Sequence, residues 1–157
     1  MKKSIDMSRD KILNRLKRVC KHDIPKEDFN IKLTTYEDRV SAFKEAVLAA
    51  GAKVVDSKDD LNCDIVFKTP LGVCENGAIW LDDTILQNRS DIVLPQKIGV
   101  IINSKDLVDT MHQAYERVLL ESVGYGVFLC GPSKTADIEQ ALVIGAHGAL
   151  EMQILIT

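Results

Sequence analysis

The segment from Gly131 to Asp137 carries the residue types best suited to binding an anion. It directly follows an apolar run typical of a buried strand, and it contains Ser133, Lys134 and Thr135. A glycine lets the backbone approach a ligand closely, and serine, threonine and aspartate are side chains that often cap the start of a helix. Unpaired N–H groups at a helix start, beside a lysine, favour a phosphate or a carboxylate. The pattern therefore predicts either an anion-binding turn or a simple helix cap, and it matches neither glycine-rich nucleotide-binding motif.

Two further side chains, Glu75 and His147, lie beside glycines. Glu75 and Gly77 share a predicted turn, where a desolvated carboxylate could act as an acid, a base or a nucleophile; a solvated turn residue is the alternative. His147 lies between Gly145 and Gly148 and could donate a proton or contact an anion, or else cap the preceding helix. We expect both side chains to line the same crevice as the anion-binding turn, outside the carboxyl ends of the strands.

The cysteines argue against a metal centre in this chain. The four of them, Cys20, Cys63, Cys74 and Cys130, are widely spaced and include no CxxC pair. Iron–sulfur and zinc sites normally draw on clustered ligands. We therefore predict buried free thiols in a reducing compartment, no metal site and no cofactor bound by this chain.

The elements that must position these residues alternate between strands and helices. Short apolar or β-branched runs predict strands at 52–56, 63–67, 78–81, 91–94, 98–102, 127–130 and 152–156. Helical periodicity predicts helices at 9–21, from a cap at Thr35 to a stop at Gly51, from a cap at Ser104 to 119, and at 137–144. Continuous apolar strands alternating with helices are typical of a mostly parallel sheet covered on both faces.

Charge divides the chain into two parts. Residues 1–22 contain eight Lys/Arg and two Asp, whereas the whole chain of 157 residues carries a net charge of −3. We therefore expect a basic helical arm and linker at 1–30 and an α/β domain at 31–157. The basic helix is a solvated face or a docking surface for an acidic partner. We expect no nucleic-acid partner, because no binding motif accompanies the positive charge. We expect no membrane partner, because no apolar run is long enough to span a membrane and the start has no apolar stretch typical of a secretory signal. The expected location is the cytoplasm.

Two blocks of this sequence resemble the lactate-utilisation (LUD) domain family. Residues 131–139, Gly-Pro-Ser-Lys-Thr-Ala-Asp-Ile-Glu, followed by 145–148, Gly-Ala-His-Gly, resemble the closing motif of the family. Residues 75–78, Glu-Asn-Gly-Ala, resemble its Glu-Thr-Gly-Thr turn, with Asn76 and Ala78 as departures. The resemblance covers residues 70–157, whereas residues 1–60 match loosely.

The resemblance implies a fold and a pathway. The fold would be three-layered and similar to the ribose-phosphate isomerase, glucosamine-phosphate deaminase and CoA-transferase group. The implied role is that of a subunit supporting oxidation of L-lactate to pyruvate beside iron–sulfur partner subunits. The family's protein B group adds ferredoxin-like cysteines to the LUD domain; this sequence lacks them and is therefore closer to the protein C group. The iron–sulfur clusters would then belong to the partners.

The resemblance favours an accessory subunit of an oxidoreductase system that binds a small anionic ligand. The alternative is a stand-alone enzyme acting on a phosphorylated, acyl-CoA or folate-type substrate, and the sequence leaves a homo-oligomer open. The residues expected to contact the ligand are Gly77, Gly131, Ser133, Lys134, Thr135 and Asp137, with Glu75 and His147 as catalytic candidates.

Overall fold

The computed structural model describes residues 9–16, 33–118, 124–135 and 143–157. The chain divides into two compact units, Met1–Lys32 and Leu33–Thr157. In the first unit, residues 9–16 form helix α1, which exposes the apolar side chains of Ile12, Leu13 and Leu16. The remainder of the helix predicted up to residue 21 lies outside the described residues. No helix within the described parts of the chain is long and apolar enough to cross a membrane.

The second unit contains the sheets. Its described strands are β1 (Lys53–Val55), β2 (Ile65–Thr69), β3 (Gly72–Val73), β4 (Ile79–Asp82), β5 (Lys97–Ile102), β6 (Leu107–Val108), β7 (Gly126–Leu129), β8 (Lys134–Thr135), β9 (Val143–Ile144) and β10 (Glu151–Ile156). Its described α-helices are α2 (Arg39–Ala49) and α3 (Met111–Arg117).

The central sheet is parallel throughout. Its order is β1-β10-β5-β2, and the register pairs Met152 of β10 with Ile98 of β5. Ile98, Val100 and Ile102 are at most 1% exposed. Such burial is expected for a strand that has neighbouring strands on both sides and is covered on both faces. The expectation of an α/β fold with a mostly parallel central sheet is confirmed.

A second sheet has the order β6-β3-β4-β7, in which β4 is antiparallel to both of its neighbours. The predicted helix from Ser104 to residue 119 is wrong at its start, where the structure has strand β6. Leu107 and Val108 pair with β3 and are buried, so burial in a sheet outweighs their helical spacing. Helix α3 begins later, at Met111, where the hydroxyl of Thr110 accepts a hydrogen bond from the N–H of Gln113.

Two other predicted elements are wrong in part. Residues 91–94 are not a strand, because Arg89–Ile92 forms a 3-10 helix whose capping box joins Asn88 and Asp91. The last two residues of the helix predicted at 137–144 form a strand instead, since Val143–Ile144 pairs with Lys134–Thr135. Thr135 therefore lies in strand β8. Residues 137–142 lie outside the described residues.

Helix α2 lies where the sequence predicted it and packs against both sheets. Its N-cap is Asp38, whose carboxylate accepts a hydrogen bond from the N–H of Ser41, and not Thr35 as expected. Phe43 and Val47 face the core and are 0% and 1% exposed. Gly51 ends the helix with a φ of +89°, a conformation that favours glycine.

A partly buried ion pair connects α2 to the loop before α3. Both carboxylate oxygens of Asp109 accept hydrogen bonds from the Arg39 guanidinium at 2.8 Å, and the N–H of Tyr36 donates a third at 3.3 Å. The Asp109 side chain is 3% exposed and that of Arg39 is 45% exposed. The Arg39 hydrogen bond, acting against burial, holds the pKa of Asp109 below its ordinary value near 3.8. The ionised carboxylate is therefore favoured in the folded state.

Asp109→Asn should lower the free energy of unfolding by about 2 kcal/mol, because it removes a charge-assisted pair from a buried position. The matched control is Asp83→Asn, which breaks an exposed Arg–Asp pair with Arg89 at 3.5 Å and should cost less than about 1 kcal/mol. Because the folded-state pKa of Asp109 is depressed, its contribution is present above the ordinary carboxyl pKa and is lost as the pH falls through the folded value. Urea unfolding at a series of pH values measures both effects. Equal losses in the two variants would contradict the role given to Asp109.

Candidate functional site

The turn after β7 is pressed against the C-terminal end of α2. Gly131 has a φ of +68°, and a Cβ at this position would collide with the carbonyl oxygen of Ala50. The ammonium group of Lys134 donates a hydrogen bond to the same oxygen. The last carbonyls of a helix carry partial negative charge, which a lysine stabilises. Gly131 and Lys134 thus have a clear structural task at this helix end.

Ser133 ties the turn to the chain that leads into β10. Its N–H donates to the carbonyl of Ala149 and its carbonyl accepts from the N–H of Gly145, both at 2.9 Å. A Cβ added at Gly148 would lie 3.1 Å from the Ser133 Cβ, so the two segments pack closely. These contacts bring together the two halves of the sequence motif, which are well separated in the chain.

The turn and this segment enclose a cavity of about 370 Å³. Most of its side chains are apolar, and its polar ones come from the motif. The lining residues are Ile92, Val93, Ile98, Leu129, Cys130, Gly131, Pro132, Ser133, Lys134, His147, Gly148, Ala149 and Met152. Gly131, Ser133, Lys134 and His147 therefore line one cavity. We call this space the motif cavity.

A second cavity of about 470 Å³ adjoins the first. The two share Val93, His147 and Gly148, so His147 lies at their junction. The second cavity is also lined by Leu94 and Leu150, which are 77% and 49% exposed. We call it the outer cavity, since its apolar side chains reach the surface.

The motif cavity faces the amino ends of the parallel strands. Ile98 and Met152 are the second residues of β5 and β10 and pair with each other. The expectation placed the ligand outside the carboxyl ends of the strands. The cavity borders the carboxyl end of β7, which precedes the Gly131 turn but belongs to the second sheet. The rule for open parallel sheets therefore does not place this cavity.

Hydrogen bonds fix the chain entering β5. The carboxylate of Asp64 accepts from the N–H groups of Gln96 and Lys97 at 2.8 Å. The carbonyl of Gln96 in turn accepts from the N–H groups of Leu150 and Glu151. The floor of the outer cavity is therefore connected by hydrogen bonds to the entry of three parallel strands.

Glu75 and Gly77 do not join the other motif residues. The Glu75 carboxylate accepts a hydrogen bond from the N–H of Met111 at 2.8 Å, and it lines a separate cavity of about 390 Å³ beside α2. Gly77 has a φ of +74° and lies against the backbone of α2 near Val47. The expectation that Glu75 and His147 line one crevice is therefore wrong. Asn76 is the link between the two regions, because its carbonyl accepts a hydrogen bond from the Cys130 thiol at 2.9 Å.

Thr135 and Asp137 were also expected to contact the ligand. Thr135 lies in β8, one residue beyond the part of the turn that lines the motif cavity. Asp137 lies outside the described residues. The sequence reasoning missed Val93, because it assigned residues 91–94 to a strand. The Asn88-to-Asp91 capping pattern and Pro95 were the signals that could have shown a turn there.

The described cysteines are separate protonated thiols. Burial raises the pKa of Cys74 to about 11 and also raises that of Cys63 and Cys130. Cys74 is buried, Cys63 is half-buried and Cys130 is exposed, so the expectation of buried thiols fails for Cys130. Cys20 lies outside the described residues. Within the described residues, no three His, Cys, Asp or Glu side chains are grouped so that they could hold a metal ion.

The motif cavity has the chemistry of a binding site. A hydroxyl, a thiol, an ammonium and an imidazole line a largely apolar space, which is the usual composition of a small-molecule pocket. Lys134 has three N–H donors and uses one on Ala50, so the others can meet an acceptor on a ligand.

Comparison with known proteins gives relatives named lactate utilization protein C. The chain is 30% identical over 115 residues to the lactate utilization protein C of Geobacillus kaustophilus, covering 69% of this chain and 47% of the relative. It is 31% identical over 108 residues to the protein of the same name from Bacillus velezensis, covering 64% and 44%. The chain spans about half the length of the curated relatives it matches.

A solved structure supports the fold. The crystal structure of a DUF162 family protein from Deinococcus radiodurans superposes with a TM-score of 0.58 at 14% identity, covering 78% of this chain and 98% of that one. The family model of the LUD domain matches residues 7–157, which include the turn, the hairpin and the strands around the motif cavity. The chain belongs to the LUD domain family.

Proposed function

We propose that this chain is a ligand-binding LUD subunit that supports oxidation of L-lactate to pyruvate together with iron–sulfur partner subunits. The observation that carries the proposal is the convergence of Gly131, Ser133, Lys134 and His147 on one cavity. These residues come from both parts of the motif by which the chain resembles its family. The relatives named lactate utilization protein C supply the pathway.

The cavity would hold a carboxylate or phosphate group of the ligand at the Lys134 end. Lys134 contributes its positive charge, and the Ser133 hydroxyl contributes a donor on the same turn. His147, at the junction with the outer cavity, contributes an imidazole. A charge-assisted hydrogen bond in such a partly enclosed space is stronger than one between neutral groups.

The redox step is assigned to the partner subunits. The cysteines of this sequence are widely spaced, whereas iron–sulfur ligands are normally clustered. The alternative of a stand-alone enzyme relied on Glu75 as an acid, base or nucleophile. The Glu75 carboxylate accepts the N–H of Met111 and lies in a different cavity, so no observation favours that alternative over an accessory subunit.

Adding this chain to the iron–sulfur partner subunits from the same source should raise lactate-dependent reduction of an artificial electron acceptor by about tenfold or more. The expected reason is that the partners carry the electrons, whereas this chain supports the reaction without carrying a cluster. Dye reduction with L-lactate, with and without the chain, measures the effect. Equal rates in both mixtures would rule out the proposed role.

Lys134→Met should weaken binding of phosphate and of simple carboxylates by about tenfold, because it removes the charge at the anion end of the cavity. Lys134→Arg keeps the charge and should retain part of the affinity. Lys68→Met is the matched control, because it removes an exposed lysine on β2, and this variant should bind as the wild type does. Calorimetric titration with inorganic phosphate and acetate measures affinity. The same affinity in the Lys134→Met and Lys68→Met variants would contradict the site.

The Cys130 thiol can report the charge of Lys134. The residue as a whole is exposed, but its sulfur is partly desolvated, which raises the pKa of Cys130, while the nearby Lys134 lowers it. Removing the lysine should therefore raise the thiol pKa further and slow alkylation by iodoacetamide at mildly alkaline pH, because the thiolate is the reactive form. Mass spectrometry of the modified peptide follows the rate against pH. Faster alkylation in Lys134→Met would show that the two groups are not coupled as described.

A further inference from the structure

The motif cavity is too large for lactate alone. L-lactate has as many non-hydrogen atoms as benzene, which fills an engineered protein cavity of about 150 Å³. The motif cavity measures about 370 Å³, and the outer cavity adds about 470 Å³ beyond His147. A ligand of lactate's size would leave more than half of the first space to water.

The inner wall of the cavity is apolar. Ile98 and Met152, paired across β5 and β10, are each 1% exposed, and Ala149 beside them is 5% exposed. Leu129 and Pro132 also line the cavity, together with the Gly131 turn. Water in contact with such a wall gains few hydrogen bonds, whereas burying an apolar ligand group there is favourable.

The charge around the cavity suits one negative group at most. Lys134 is the single lysine or arginine among the described residues that line it. One of its donors is held by the carbonyl of Ala50, at the end of α2 where the helix carries partial negative charge. A multiply charged phosphate would meet that partial charge with one shared lysine as compensation. A monoanion, such as a carboxylate, is the better match.

The outer cavity gives an apolar ligand somewhere to extend. It begins at Val93 and His147 and continues to Leu94, Pro95 and Leu150. Val93, Leu94 and Leu150 are 47%, 77% and 49% exposed, so large apolar side chains are concentrated at this opening. A ligand body that leaves the motif cavity past His147 would cover them.

We propose that the ligand of this site is a monoanion with an apolar body larger than lactate, such as a medium-chain or aromatic carboxylate, whose charged end meets Lys134 and whose body lies on Ile98 and Met152 and passes Val93. This inference rests on the proposed function, because it concerns the ligand of the same cavity. L-lactate then acts in the pathway without being the molecule held here.

The experiment compares carboxylates of increasing length on the full chain. Butyrate, hexanoate and octanoate are titrated by calorimetry, with octan-1-ol to test the need for the charge. Each fully buried methylene contributes about fourfold in affinity, and the path is partly open, so octanoate should bind at least about tenfold more tightly than butyrate. Octan-1-ol should bind about tenfold less tightly than octanoate.

Val93→Trp should remove most of the gain from chain length, because the larger ring occupies the passage between the cavities. Val66→Trp is the matched control: Val66 lies on β2, outside the lining of both cavities, and is 44% exposed compared with 47% for Val93. Val93→Thr, which has nearly the same shape, provides a milder change if the tryptophan protein does not fold, and it should weaken octanoate by about threefold. The control should bind octanoate as the wild type does.

The outcomes separate the two proposals. If butyrate and octanoate bind equally, or if Val93→Trp and Val66→Trp behave alike, the apolar ligand class is overturned while anion binding by the cavity stands. If no carboxylate or phosphate binds, the proposed function fails with it. A gain with chain length that disappears in Val93→Trp and persists in Val66→Trp supports the inference.

Discussion

The carbonyl oxygen of Ala50 is the point on which the arrangement of the site depends. It belongs to the end of α2, where the helix has carbonyls without partners within the helix. Lys134 donates to it, and Gly131 must be a glycine because any side chain there would collide with it. One acceptor thus sets both the approach of the turn and the direction of the lysine. The motif residues are therefore explained first by packing, and their place in the cavity wall follows from that packing.

The cavity is formed where residues of the parallel sheet and of the mixed sheet approach each other near the end of α2. The Gly131 turn comes from the end of β7 in the mixed sheet, whereas Ile98 and Met152 come from the beginnings of β5 and β10 in the parallel sheet. Neither sheet alone would enclose the space. Ser133 connects them through its hydrogen bond to Ala149, so the polar end and the apolar wall are held at a fixed separation. A rigid wall with one charged end is well suited to selecting ligands by shape.

Local patterns predicted helix α2 and strands such as β5 and β10, but not the surroundings of the motif. Phe43 and Val47 of α2 are buried, and so are Ile98, Val100 and Ile102 in the continuous apolar run of β5. Leu107 and Val108 show the limit: their spacing suits a helix, yet pairing with β3 places them in a strand. Glu75 shows another, because its bond to the N–H of Met111 joins residues 36 positions apart. Such long-range partners are decided by tertiary packing, which a single sequence does not display.

The pairing of β8 with β9 holds the two halves of the motif together by backbone contacts. Lys134 pairs with Ile144 and Thr135 with Val143 at strand spacing, about 5 Å apart. The N–H of Gly145 donates to the carbonyl of Ser133 beside this pairing. Such backbone contacts do not depend on side chains, so substitutions at Ser133 or His147 can change what the cavity selects without removing the contacts that join its two halves.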